Sequence, residues 1–202
     1  EVANCGTPLP NTQASWAFGF YGGLQFTTGG VKMNPFTAGN QPNNIYSGEG
    51  SVSVANAAGQ MLFYAGGRDF NMADSIGRMA IFNKNYLVML NSHNIWGSAS
   101  STQGVISIPF PGNATRYYLV IANQKDFHTT PYGMRYSVID TTLDSGLGGV
   151  VDTLKNIAIP APSFITFKGS DSSMVPGEGM TVVPKCNGSD YWLIVQSSPY
   201  SN

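Results

Sequence analysis

Charge is what this chain has least of. Its 202 residues include 10 Lys or Arg and 11 Asp or Glu, with a net charge of -1. Charged residues make up 10%, against about 25% in ordinary soluble domains. Nucleic acid demands clustered cations to neutralise phosphates, and no such cluster exists, so it is excluded as a partner. So small a net charge leaves little repulsion between copies. Long apolar runs are missing too, and no window approaches the ~18–20 residues of a membrane span. Histidine is scarce: His93 and His128 stand alone, without a metalloprotease spacing. There is no G-x-S-x-G nucleophile elbow. The two cysteines, Cys5 and Cys186, have no neighbouring Cys or His cluster, which argues against zinc. No cofactor is expected, and the chain is expected not to be an enzyme.

What is present reads as strands. Hydrophobic residues reach 42%, enough for a core, and 24 glycines punctuate them. Apolar residues alternate or form short runs bounded by Gly, Pro, Asn and Asp, while helical periodicity is rare. One pattern occurs three times: "GEGSVSVANAAGQMLFYAGG" from Gly48, "TQGVISIPFPGNATRYYLVIAN" from Thr102 and "GEGMTVVPKCNGSDYWLIVQ" from Gly177. Each copy predicts a hairpin. The return strands are apolar at nearly every position, which predicts burial on both faces. Aligned on Gly50, Gly104 and Gly179, the copies are unevenly spaced, which suits blades with variable outer strands. "RMAIFNKNYLVML" (78–90) predicts a hairpin turning at Asn83-Lys84-Asn85, "MRYSVID" (134–140) and "FITFK" (164–168) predict strands, and "DSGLGG" (144–149) predicts a loop with positive-φ glycines. The expected architecture is all-β: antiparallel propeller-type blades in a partial or small propeller of about three blade hairpins. Residues 1–15 are expected to form an extended N-terminal segment, and 16–202 a single propeller-like domain.

Several stretches together resemble the N-terminal propeller-like region of large secreted Bacteroidota surface proteins associated with type IX secretion, gliding and adhesion. They are "WAFGFYGGLQFTTG" (16–29), "GEGSVSVANAAGQMLFY" (48–64), "IFNKNYLVMLNS" (81–92), "SSTQGVISIPFPG" (100–112), "RYYLVIAN" (116–123), "MRYSVIDTTLDSGLGGV" (134–150) and "GSDYWLIV" (188–195). The resemblance implies a cell-surface location and a structural or adhesive role, with self-association, other surface proteins or glycans as partners. The chain departs from the family pattern at "YAGGRD" (64–69), where Asp-Gly is usual.

Candidate sites follow from residue chemistry. The export-like composition predicts a Cys5–Cys186 disulfide. Asn113-Ala-Thr and Asn187-Gly-Ser are N-glycosylation patterns. Ser75, Thr141 and Thr153 follow Asp in the short O-glycosylation pattern of the resembled family. Asp69, Asn71 and Asp74 form a weak calcium candidate without the glycine and distant acid of a calcium loop. Trp96 and Phe127, in loop-like stretches, are candidate sugar-stacking aromatics. Trp16 and Phe18 alternate in a strand and are expected in the core. Glu49 and Glu178 occupy equivalent repeat positions with Gln103 between them, so a structural role, accepting backbone N–H bonds at a strand start, is expected rather than glycosidase chemistry. The apolar strand 191–195 is expected to have its edge covered, by residues 1–14 of the same or a neighbouring molecule or by a continuation of the chain.

Overall fold

The computed structural model describes residues 12–33, 45–67, 79–122, 134–160 and 175–198. They form four antiparallel sheets that follow one another along the chain. Sheet one is β1 (Ser15–Phe18), β2 (Gly22–Thr27) and β3 (Gly30–Met33). Sheet two is β4 (Ser51–Ala55), β5 (Met61–Gly67) and β6 (Met79–Asn83). Sheet three is β7 (Val105–Pro109), β8 (Arg116–Ala122) and β9 (Met134–Asp140), with β10 (Gly149–Val150) and β11 (Ile157–Ile159) both paired to β9. Sheet four is the hairpin of β12 (Val175–Pro184) and β13 (Tyr191–Ser198). Among the described residues helix is confined to a short left-handed turn, α1 (Leu143–Gly146), and a 3-10 turn at Asp152–Leu154. Among the described residues no sheet closes on itself, and no helix is long and apolar enough to cross a membrane.

The repeated hairpins turn by one device. Asn56 Oδ1 accepts the N–H groups of Ala58 and Gln60, each at 3.0 Å. Asn113 Oδ1 accepts Thr115 N–H at 2.9 Å. Asn187 Oδ1 accepts those of Ser189 and Asp190 at 3.2 and 3.1 Å. An asparagine side chain thus mimics the backbone carbonyl that would otherwise close each turn. The hairpin expected after β6 also forms: Phe82 bridges Val88, and Asn83 Oδ1 accepts Asn85 N–H at 2.9 Å.

The sheets stack face to face in sequence order, with one apolar layer in each of three gaps. Between sheets one and two lie Ala17, Tyr64, Ala80 and Phe82, with Ile45 from the connecting segment. Phe63, Ala65, Ile81, Val105, Leu119, Ile121 and Ile139 fill the gap between sheets two and three. Sheets three and four meet through Ile108, Val120, Ala122, Met134 and Met180, flanked by Tyr118, Tyr136, Val182, Leu193 and Val195. Because side chains alternate along a strand, each inner sheet spends one set of residues on the preceding sheet and the other on the following one.

The first strands β1, β4, β7 and β12 lie beside one another in that order. Their approach requires small residues. Ser53 Oγ accepts Ala17 N–H at 2.7 Å, joining β4 to β1. Gly50 N–H donates to Ser101 O at 3.0 Å, and a Cβ on Gly50 would stand 2.6 Å from that oxygen. A Cβ on Gly104 would collide with Ser101 Cβ. Gly50 marks a place where neighbouring sheets have no room for a side chain, and Gly104 one where the segment leading into β7 folds too closely on itself to admit one.

Two expectations fail. β1 buries Ser15 and Ala17 and leaves Trp16 and Phe18 exposed. The small residues face sheet two because the sheets come close there, and a period of two then forces the aromatics outward. Nor is β13 buried on both faces: Trp192 and Ile194 are exposed, because only the Leu193 and Val195 face meets sheet three. The strand expected at 164–168 and the N-terminal residues 1–11 lie outside the described residues.

Candidate interaction surface

The exposed aromatics of β1 belong to a continuous face. Directly paired residues share a face, and the register sets Trp16 beside Leu24 and Leu24 beside Met33. Phe18 and Phe26 follow two residues along on the same side, and Phe26 pairs with Val31. The outer face of sheet one therefore carries six large apolar side chains, and none of Trp16, Phe18, Phe26, Val31 or Met33 is buried, with 44% of Trp16 and 78% of Met33 exposed. Trp16 and Phe26 pack edge to face with ring centroids 5.2 Å apart. Ser15, Ala17, Gly23 and Gln25 make up the other face, toward sheet two.

The opposite end of the stack repeats this on a smaller scale. β12 and β13 set Val183 beside Trp192 and Thr181 beside Ile194 on the outer side. Trp192 is 61% exposed and Ile194 53%. Lys185 Nζ lies 4.4 Å from the centre of the Trp192 ring, a cation–π contact that covers part of it.

Of the equivalent residues Glu49, Gln103 and Glu178, the two carboxylates converge on Thr102, the chain neighbour of Gln103. The Thr102 hydroxyl donates to Glu49 Oε2 at 2.6 Å, and Thr102 N–H donates to Glu178 Oε2 at 3.0 Å. Glu178 Oε2 lies 3.2 Å from the same hydroxyl. That hydroxyl has one hydrogen to give, so Glu49 takes it and Glu178 is served by the amide. Glu178 therefore has the role of backbone acceptor expected from its repeat position. The equal placement of these residues in the three copies was the signal for this convergence; Thr102 as its centre had none.

No family model, curated protein or solved structure matches this chain.

The candidates drawn from the sequence scatter over the molecule. Asn113 and Asn187 are the turn asparagines of their hairpins, in the place Asn56 holds without a glycosylation pattern. Asn187 Nδ2, the atom a glycan would occupy, donates to Asp190 Oδ2 at 2.8 Å. Thr141 donates its hydroxyl to Thr115 O at 2.9 Å, whereas Thr153 is exposed on its 3-10 turn. Trp96 is half-buried: Arg135 lies over its ring at 5.2 Å, and Asn156 Oδ1 accepts its backbone N–H at 3.0 Å. Cys186 sits in the turn between β12 and β13. Cys5, Ser75, Phe127 and the calcium candidates Asp69, Asn71 and Asp74 lie outside the described residues. Among the described residues no group of three or more His, Cys, Asp or Glu gathers as a metal site would.

Among the described residues the buried charged side chain is Asp140, in sheet three. Arg116 Nε donates to Asp140 Oδ2 at 2.8 Å, and the Thr142 hydroxyl and N–H donate to Oδ1 at 2.6 and 3.0 Å. Burial by itself would raise the Asp140 carboxyl, but the hydrogen bonds from Thr142 and Arg116 together outweigh it and hold the group below its ordinary value. This arrangement anchors the turn that carries α1 and β10.

Proposed function

We propose that the chain is a non-enzymatic extracellular structural module, an arc of propeller-type blades that works by joining neighbours through the two ends of its stack. One observation carries the reading: both terminal sheets turn apolar faces outward, whereas the inner sheets cover theirs. Contiguous exposed apolar patches of several hundred Å² mark interaction sites far more often than idle surface. The blade reading is supported by the repeated meander, the side-by-side first strands and the shared turn. The Glu49–Thr102–Glu178 arrangement supports a structural use of its carboxylates, since both are engaged in holding first strands together. A Cys5–Cys186 disulfide fits the location, and no described cysteine is a free thiol.

The test has two arms. Fractionation of native cells, with intact mass before and after reduction and alkylation, should find the protein outside the cell with both thiols blocked. A panel of polysaccharides should show no turnover; turnover abolished by Glu178→Gln would overturn the reading. A carbohydrate-binding module is the alternative that Trp16, Phe18 and Phe26 favour, because exposed aromatic rings on one face can stack on sugars. Glycan-array binding lost in Trp16→Ala would decide for it.

A further inference from the structure

We propose that a second copy of this chain seats the outer face of its β12–β13 hairpin on the outer face of β1–β2–β3, so that the stack of sheets runs from one molecule into the next. The proposal deepens the structural-module reading and rests on it.

The first support is continuity with the interfaces inside the molecule. In the gaps that follow sheets two and three, the sheet turns the side of its first strand that follows the aligned glycine by two residues toward the next sheet. For sheet two these residues are Val52 and Val54, and for sheet three Ile106 and Ile108. The same positions in sheet four are Thr181 and Val183, which face outward with Trp192 and Ile194. At the other end, the exposed face of sheet one is the side that a preceding sheet would cover. The two outward faces are therefore the two halves of the contact made between sheets two and three and between sheets three and four, and not two copies of one half.

Size and charge point the same way. Taking about 150–250 Å² for a whole aromatic side chain, the two faces expose on the order of 900 Å² of apolar surface. Their polar rims raise that toward the roughly 1,200–2,000 Å² of a specific interface. A net charge of -1 sets no barrier between copies. Face four on face one is a heterologous contact, so it builds an open series or, if the rotation closes, a ring.

Two blocked proteins test this by sedimentation velocity. One carries Trp16→Glu with Phe18→Glu, the other Trp192→Glu with Ile194→Lys. A second block of face one, Val31→Lys with Met33→Glu, lies on the exposed strand β3, where folding is least at risk. Near-UV circular dichroism confirms that each is folded. The unaltered protein should assemble with rising concentration, and each blocked protein alone should stay monomeric, at least ~100-fold weaker in association. An equimolar mixture of a face-one block and the face-four block should form heterodimers and nothing larger. A monomeric native protein at high concentration, a face-four block that still dimerises, or a mixture that stays monomeric would each overturn the stacking. None of these outcomes touches the location and turnover assays that decide the structural-module reading.

Discussion

β8 and β13 are nearly the same strand in sequence, "RYYLVIA" against "DYWLIVQ" with its preceding Asp190. In the aligned repeats Val120 corresponds to Ile194. Val120 is 3% exposed and packs among Ile108, Ala122 and Met180; Ile194 is exposed. The backbone, the pairing and the hydrophobicity are alike. The difference is that sheet four covers the Val120 side of sheet three, whereas no described sheet covers the Ile194 side of sheet four. Hydrophobicity in a strand reports what a face is built for, and the neighbour decides whether that face is core or contact surface.

The widest break between the two regions is expected from one substitution made in both. Val120→Asp buries an unpaired carboxylate and should cost about 3 kcal/mol or more, enough to threaten folding. Ile194→Asp should change stability by no more than about 1 kcal/mol. Urea unfolding followed by tryptophan fluorescence measures both. Equal losses would mean that the Ile194 face is core in solution.

The aligned glycines sharpen the comparison at smaller scale. Gly50→Ala and Gly104→Ala place a methyl against the backbone or Cβ of Ser101 and should cost about 1–3 kcal/mol each. At Gly179 the new methyl meets chiefly Gln196 Oε1, 2.9 Å away on a flexible side chain. Gly179→Ala should lose less than about 1 kcal/mol in the same unfolding assay.

Much of this was legible in the sequence, and the limits are physical. The three hairpins, their asparagine turns and the aligned glycines follow from local rules that each copy obeys by itself. Which face of β1 looks inward does not. Alternation fixes two faces, but the choice between Ser15/Ala17 and Trp16/Phe18 depends on how near sheet two approaches. The default that large apolar residues go inside failed because that approach admits only small ones. Trp96 looked available in its loop because Arg135, which lies over its ring, and Asn156, which holds its backbone N–H, come from sheet three and its connection, about 40 and 60 residues away in the chain.

Charge pairs give the next contrast. Asp140→Asn removes the buried partner of Arg116 and should cost about 1–2 kcal/mol. Asp190, in the last hairpin, lies 4.0 Å from Lys185 with much of its side chain in solvent, and its exposed ion pair is worth at most about 0.5 kcal/mol. The pH dependence has a definite sign. The folded Asp140 carboxyl titrates below its ordinary value, so its stabilisation is whole above the ordinary carboxylate range and is lost as pH falls through it toward the folded value. Stability of Asp140→Asn should therefore fall less steeply on acidification than that of the native protein.

The smallest effect concerns Ser107, on the side of sheet three facing sheet two. Its buried Oγ has no hydrogen-bond partner among the described residues. Ser107→Ala should be neutral or stabilising by up to about 1 kcal/mol, read as a small rise in melting temperature.

The alternation of face assignments has a consequence for how such a chain can change over generations. Since the gaps after sheets two and three are the same kind of contact, a duplicated or deleted sheet there leaves its neighbours facing a surface of the type they already fit. Length can vary by whole sheets, whereas loss of one strand inside a sheet would strip part of both of its faces at once. The extra strands β10 and β11 illustrate the tolerated alternative: they are appended beyond β9, far from the shared first strands, and lengthen one repeat without altering the order of the stack.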